Sequence, residues 1–243
     1  MQTILSTINQ LLNFWVHTHW LIALAMSTLV NMGVFIICAL CITWLTHYLN
    51  KAVGFGEYID KRPLKDGQKK FEFKNGMLAC FIFAALSLLT RIWHVDVWPS
   101  SIIDFVLQVV MFSVFYEVYS YFVHRVLHFK PFRKAHGVHH RSMTVTPWTA
   151  YSVHPIEAFL IACSAPLFMF MFSLSLGVAL TLHIIGMVFS IMIHSNFDFY
   201  FKVKIVNHLN VFTKFHQYHH ELGNKNYGFT NQLLDRLFKT KYK

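Results

Sequence analysis

Four long stretches of this sequence are apolar and almost free of charge, and each is long enough to cross a bilayer as a helix. A spanning helix needs roughly 20 apolar residues. Only 13% of the 243 residues are charged, about half the share in an average soluble domain, so the sequence predicts lipid surroundings. The stretches run from Trp20 to Leu45, Gly76 to Trp93, Ile102 to Val123 and Ile156 to Ile193.

The last stretch is long enough for two helices, with a turn predicted at residues 172–177. Hydropathy leaves open whether this hairpin crosses the membrane fully or re-enters it. The sequence therefore predicts an all-α integral membrane protein with about four to five transmembrane or re-entrant helices and a helical cytosolic cap. Residues 1–19 are expected on the opposite side, as an interfacial helix.

The basic residues indicate which membrane side each loop occupies. The net charge is +10, yet Lys and Arg are absent from residues 1–50; seven lie in 51–74, five in 125–141 and eight in 202–243. Cytoplasmic loops carry such an excess of Lys and Arg, so these segments are expected on the cytoplasmic side of a multi-pass protein. The alternation with apolar segments argues against a nucleic-acid partner.

Histidines gather in three clusters, all on this predicted cytoplasmic side. Residues three or four apart share a helix face, so each cluster is expected to point its imidazoles one way. Imidazole suits iron, zinc, copper and nickel, and eight imidazoles exceed what one ion can take. The sequence therefore predicts two metal ions, each with a position left for oxygen or water. The clusters are His124-Arg-Val-Leu-His128, His136-Gly-Val-His139-His140 and His216-Gln-Tyr-His219-His220.

Two further histidines are candidate ligands. His154 lies where the chain re-enters the membrane and could bind a metal or support a ligand; His194 follows the last apolar stretch at the depth of the clusters. His183 lies about 16 Å deeper along a helix and is expected to be a hydrogen-bonded core residue. No cysteine accompanies the clusters, which argues against a zinc finger. The remaining histidines, expected to be interfacial or structural, are His17, His19, His47, His94 and His208.

Polar residues near the clusters could orient the imidazoles, because metal-bound histidines are usually held through their second nitrogen. Glu117 lies seven residues before His124 on the same helical face, and a carboxylate within a membrane helix is a functional candidate by default. It could line the pocket above the metals or support an imidazole, with a salt bridge to a snorkelling Lys or Arg as the alternative. The predicted catalytic residues are Glu117, Glu157, Asn226 and Asp235, and Asp198 is a further supporting candidate.

In order and spacing, these motifs resemble the sterol desaturase and fatty acid hydroxylase superfamily of membrane di-iron proteins. The resemblance covers roughly residues 124–240, about half of the chain. HxxHH alone would also fit membrane acyl desaturases, and the elements outside the clusters favour this superfamily. Those elements are HPIE at 154–157, HSN at 194–196, NYG at 226–228 and LDRLFKT at 234–240. The chain departs from many members at Leu234 and Lys239, and from some at Ser190, where they carry a further histidine.

The resemblance implies a four-helix transmembrane core under a cytosolic cap that holds two iron ions. Members use O2 and two external electrons to hydroxylate, oxidatively demethylate or desaturate an unactivated C–H bond. Residues 1–123 would form N-terminal membrane helices and a basic cytosolic loop, and residues 124–243 the catalytic region, within one integrated domain. The expected substrate is a membrane lipid such as a fatty acyl chain or a sterol.

The electron donor is expected to be a separate protein, because the sequence carries no GxGxxG or P-loop motif and its CxxC, Cys38-Ala-Leu-Cys41, lies within an apolar stretch without a second pair. An acidic ferredoxin or cytochrome would suit the basic cytosolic face, since opposite charge speeds encounter. Two alternatives stay open. The same fold could act on a carotenoid or an ether lipid, or the chain could be a metal-ion-handling membrane protein. Transporters place polar groups at mid-membrane, whereas these histidines gather at one surface.

Overall fold

The computed structural model describes residues 2–199 and 211–242, and helices dominate them. Four helices are long and apolar enough to span a membrane: Trp20–Val53, Gln68–Trp93, Ile102–Leu127 and Leu176–Ile193. The prediction of an all-α membrane protein is confirmed. The second span begins eight residues before the expected Gly76, because Gln68 and Glu72 are buried there by polar partners that hydropathy does not register.

The helices are short outside the four spans. Two residue pairs, Glu57–Tyr58 (β1) and Phe197–Asp198 (β2), form a small antiparallel sheet in which Glu57 faces Asp198. Single turns of π-helix at Leu49–Val53 and of 3₁₀-helix at His139–Arg141 and Pro147–Tyr151 complete the described secondary structure. The α-helices are α1 Gln2–His17, α2 Trp20–Tyr48, α3 Gln68–Ser87, α4 Thr90–Trp93, α5 Ile102–Leu127, α6 Arg133–His136, α7 Pro155–Ala162, α8 Ser164–Met171, α9 Leu176–Ile193, α10 Val211–Leu222 and α11 Leu233–Leu237.

The length of α7 and α8 bears on whether the predicted hairpin crosses the membrane fully or re-enters it. Together they run from Pro155 to Met171, about 26 Å at 1.5 Å per residue, which is less than the roughly 30 Å hydrocarbon core. The chain reverses at Phe172–Ser175, within the predicted turn, before α9 begins. The re-entrant alternative is therefore favoured over a fifth full span.

The spans pack through two apolar clusters at different depths. Nearer the histidines, Phe35 of α2, Ala79 of α3 and Met187 of α9 are buried together. At the opposite end, Phe112 of α5 packs edge-on against Phe168 of α8, with ring centroids 5.2 Å apart. Large side chains on the outer helix faces are exposed, as expected for surfaces that contact lipid rather than water.

The α2–α3 contact depends on a glycine. A Cβ added at Gly76 would lie 2.5 Å from the Phe35 ring. That ring cannot yield easily, because it is fully buried and lies 5.4 Å, centroid to centroid, from both Trp148 and Tyr151. Gly33 offers a matched position on α2, where an added Cβ would meet nothing within 4 Å.

We predict that Gly76→Ala destabilises the protein by about 1–3 kcal/mol, the usual cost of overpacking a core. Gly33→Ala should leave stability unchanged or raise it slightly, because alanine favours helix over glycine by roughly 1 kcal/mol. Thermal unfolding of the two purified variants in one detergent measures the difference. Equal midpoints would contradict the close packing of α2 on α3.

Candidate metal centre

Nine histidines meet at one end of the helical bundle, where α5 and α9 both end. His124 lies in the last turn of α5, with His128 just beyond it, and His194 directly follows α9. The second cluster follows α5 through α6 and a 3₁₀ turn, and the third lies on α10. All three clusters and His194 therefore come together, as their common predicted membrane side requires.

The nine imidazoles form two adjacent groups, named here site A and site B. In each group, one ring nitrogen per histidine lies within 4.8 Å of all the others. Two ligands of one ion with bonds of about 2.1 Å are at most roughly 4 Å apart, so these spacings are close to those of a filled coordination sphere. Site A contains His124, His128, His136, His140 and His219; site B contains His139, His194, His216 and His220.

Each HxxHH motif is divided between the two sites. His136 and His140 belong to site A and His139 to site B, whereas His219 belongs to site A and His216 and His220 to site B. The third cluster lies on a helix as expected. The expectation that the second cluster shares one helical face is wrong, because α6 ends at His136 and a tighter 3₁₀ turn carries the next two histidines. The sites touch, since the His140 and His220 ring centroids are 4.7 Å apart.

Backbone carbonyls orient three of the rings through Nδ1. His124 Nδ1 donates to Tyr227 O at 2.9 Å, His194 Nδ1 to Ser190 O at 2.6 Å and His219 Nδ1 to Lys225 O at 2.6 Å. A neutral imidazole carries a proton on only one nitrogen, so Nε2 of each of these rings presents a lone pair to its site. Such second-nitrogen contacts are the usual support of metal-bound histidines.

The site interior suits a cation and disfavours protons. His219 Nε2 lies 3.1 Å from His140 Nε2 and 3.3 Å from His128 Nε2. Burial lowers the pKa of His128 to about 2 and the pKa of both His140 and His194 to about 4, so these imidazoles are neutral at physiological pH. A proton shared between two rings satisfies only that pair, whereas a cation satisfies all the converging lone pairs. The donor set therefore fits a metal ion in each site.

Glu157, one of the predicted supporting carboxylates, lies beside site A. Its Oε1 is 2.9 Å from His136 Nδ1, and both side chains are almost completely buried. Glu157 is in the first turn of α7, with Pro155 at the N-terminus of that helix. The four residues of the HPIE motif thus begin helix α7 and also supply the carboxylate that lies against His136.

Asp235 and Asn226 shape the loop that holds His124. Asp235 is buried and accepts hydrogen bonds from Tyr227 N at 2.9 Å and Gly228 N at 2.8 Å, which fixes the loop whose Tyr227 carbonyl binds His124. Asn226 has a left-handed φ of 58°, and its side chain bonds main-chain atoms of Phe215 and Tyr242. Both residues act on the imidazoles through the backbone rather than by direct contact.

Glu117 performs a similar task on the same loop. It is buried inside α5, and its Oε2 accepts from both Thr230 N and Thr230 Oγ1. It is paired with no Lys or Arg in the described residues. These contacts make Glu117 a support for the 226–230 loop, which differs from the expected roles of lining the metal pocket or supporting an imidazole.

Two candidates lie elsewhere. His154 belongs to neither site: its Nδ1 accepts from Ile156 N at 3.2 Å and so caps α7. Asp198 pairs with Lys214 at 2.5 Å instead of with an imidazole.

His183 is hydrogen-bonded in the membrane region, as expected, with its Nε2 2.8 Å from Asn31 Oδ1. His208 lies outside the described residues.

A buried polar network behind the sites escapes sequence reasoning. Glu72 of α3 accepts from Gln68 and from the hydroxyls of Ser142, Thr146 and Thr149, at 2.6–2.8 Å. It therefore fixes the chain directly after the second histidine cluster to a membrane helix.

Gln217, between His216 and His219, reaches the same segment. It is fully buried and donates to Met143 O at 2.9 Å. In the sequence, only the position of Gln217 between two candidate ligands could have suggested this contact.

A cavity of about 390 Å³ extends from the two sites into the membrane region between α5, α7 and α9. His124 and His139 line one end, and the lining continues along α9 as far as Ala179, about 22 Å from His194 along the helix. Most of the wall is apolar or aromatic. A narrow, elongated, largely apolar molecule is the ligand that such a space suits.

These features define a class of protein: a membrane-spanning helical bundle in which buried histidines at one end could hold two metal ions above an apolar cavity. The chain belongs to the fatty acid hydroxylase family, whose sequence profile matches residues 109–240. This confirms the superfamily resemblance and makes the chain an oxidoreductase. The matched region begins within α5 and includes all nine histidines of sites A and B.

The relatives named here are sterol enzymes. Human lathosterol oxidase is 25% identical over 88% of this chain and 74% of its own length. The Delta(7)-sterol 5(6)-desaturase of Leptosphaeria maculans is 26% identical over 81% of this chain and 59% of its own length. Mouse lathosterol oxidase is 30% identical over 58% of this chain and 46% of its own length. The chain thus spans about half to three quarters of these relatives. No solved structure matches it significantly.

We predict that His219→Ala and His216→Ala each lower the metal content, because each removes a candidate ligand from site A or site B. His17→Ala, at an exposed position on α1, should match the wild type, and so should His154→Ala. Elemental analysis of the purified proteins measures ions per chain. Unchanged metal in His219→Ala would contradict site A.

Proposed function

We propose that this protein uses O2 to oxidise a C–H bond of a membrane lipid at two iron ions held by sites A and B. The observation that carries the proposal is the position of both histidine sites at one end of a largely apolar cavity between the membrane-spanning helices. Family membership supports iron over other metals that imidazole binds.

The chemistry balances with two electrons per turnover. Hydroxylation consumes one O2, two electrons and two protons and yields an alcohol and water. Desaturation consumes the same reagents and yields an alkene and two waters. Iron in the two sites would supply the O2 activation that either reaction needs.

The protein's own residues position the substrate and exclude water. The apolar cavity wall holds a chain or ring system against His139 and His194, and dry surroundings protect a strong oxidant from side reactions. Glu157 and the carbonyls of Ser190, Lys225 and Tyr227 fix the imidazole orientations. A sterol or a related long lipid is the favoured substrate class, because the curated relatives named above act on sterols.

We further propose that a separate acidic protein supplies the electrons at the cytoplasmic side. Exposed cations lie close in the chain to site A histidines: Lys130 follows His128, and Arg133 and Lys134 precede His136. A ferredoxin or cytochrome that docks there would approach the histidines from the side opposite the lipid cavity.

We predict that cells producing the protein accumulate a lipid changed by +16 mass units for hydroxylation or −2 for desaturation. Cells producing His219→Ala at equal abundance are the matched control and should lack it, because the metal site is broken. Untargeted lipid profiling by mass spectrometry measures the change. Identical profiles under 18O2, with the protein folded and iron-loaded, would contradict lipid oxidation; 18O in a new hydroxyl would confirm O2 as its source.

We predict that the double variant Lys130→Glu, Lys134→Glu raises the KM for an acidic [2Fe–2S] ferredoxin about tenfold at low salt and weakens its salt dependence, with kcat unchanged. Lys51→Glu, Lys70→Glu reverses two positive charges at exposed positions that do not adjoin a site A histidine in the chain, and it should change the KM much less. Turnover with ferredoxin and its reductase across a salt series measures both. Equal effects in the two variants would show that no local docking surface exists.

A further inference from the structure

One face of α9 connects the metal sites to a polar group deep in the membrane. His183, Met187, Ser190 and His194 follow one another at spacings of four, three and four residues, and all line the cavity. Such spacing keeps side chains on one helical face. His183 is eleven residues from His194, which is about 16 Å along the helix.

The hydrogen bonds of Asn31 fix which nitrogen of His183 carries the proton. Asn31 Nδ2 donates to Ser27 O at 2.8 Å, so Asn31 Oδ1 faces His183 Nε2, also at 2.8 Å. An amide oxygen only accepts hydrogen bonds, and His183 Nε2 must therefore be the donor. In a neutral imidazole the other nitrogen, Nδ1, is then an acceptor with a free lone pair.

That acceptor has no protein partner in the described part of the chain. The His183 ring bonds Asn31 through Nε2 and lies against the Phe83 ring, with centroids 5.8 Å apart, and no described carboxylate pairs with it. Its Nδ1 is not fully enclosed, and His183 lines the cavity. An ionisable side chain at membrane depth is by default a functional candidate.

We propose that His183 Nδ1 accepts a hydrogen bond from the substrate's hydroxyl group, so that the substrate is a long lipid alcohol. A lone-pair acceptor needs a donor, which excludes esters, ethers, ketones and ionised carboxylates as the group bound there. His183 and His194 are separated by about 16 Å of rise along α9, so the oxidised carbon is expected at a comparable distance from the hydroxyl. The binding step stands alone, whereas the position of oxidation rests on the proposed function.

Binding can be measured without turnover. The iron-loaded protein in detergent is equilibrated with deuterium-labelled 1-hexadecanol or with its methyl ether, which has the same chain but no donor. Lipid retained after gel filtration is then counted by mass spectrometry. We expect about tenfold more alcohol than ether on the wild type, in line with the cost of leaving an enclosed acceptor unpaired.

Three variants separate recognition from structure. His183→Phe keeps an aromatic ring but no acceptor and should retain alcohol and ether equally, at the wild-type ether level. His183→Gln can donate to Asn31 and still present an oxygen, so it should keep part of the preference and serves if His183→Phe does not fold. His47→Phe, at an exposed position on α2, should behave as the wild type.

The outcomes divide cleanly. Equal retention of alcohol and ether by the wild type, or an undiminished preference in His183→Phe, would overturn the proposal. So would a proportional loss of both lipids in His183→Phe, which would mark His183 as a purely structural link between α2 and α9. A preference for alcohol without any oxidation would support the hydrogen bond and refute the proposed function instead. Where turnover occurs, fragmentation should place the new oxygen or double bond in the half of the chain remote from the hydroxyl.

Discussion

The convergence of imidazole lone pairs in a dry site is the interaction on which the rest of this structure depends. Leaving a buried polar group unpaired costs about 1–3 kcal/mol, and nine such groups would rival the whole stability of a typical domain, about 5–15 kcal/mol. Five of the nine histidines are at most 5% exposed, so water does little to satisfy them. Cations at its centre would satisfy these lone pairs, and the ends of α5, α9 and α10 are positioned to surround them.

Much of this could be predicted from the sequence because it follows from composition and spacing. The nearly charge-free segments predicted the spans. The positions of Lys and Arg predicted that the histidine clusters lie at one end of the bundle, where nine of the ten candidate histidines meet. Their division into two sites could not be predicted. In the second cluster the division follows the end of α6 at His136 and the 3₁₀ turn at His139–Arg141. In the third cluster the regular helix α10 also separates His219 from His216 and His220, and a His-x-x-His-His pattern reveals neither.

Only some of the groups that support the histidine sites could be predicted from the sequence, for a physical reason. Glu157 stands out as a carboxylate in an apolar stretch, but carbonyl oxygens such as those of Lys225 and Ser190 belong to the backbone and have no sequence signature. Asp235, Asn226 and Glu117 were identified by residue type, yet they contact loop atoms rather than imidazoles. His154 shows the opposite error, since a histidine before Pro155 serves equally well as a helix cap.

The rigidity of α9 joins these observations. The same helix presents the Ser190 carbonyl to His194 Nδ1 and, seven residues earlier, His183 to the cavity. Because both contacts lie on one face, a single residue inserted between them would rotate His183 by about 100° out of the cavity while the metal site stayed intact. The distance between His183 and His194 is therefore fixed more firmly by α9 than a loop could fix it. A helix that sets the distance between a polar anchor and an oxidising centre would select substrates by length as well as by chemistry.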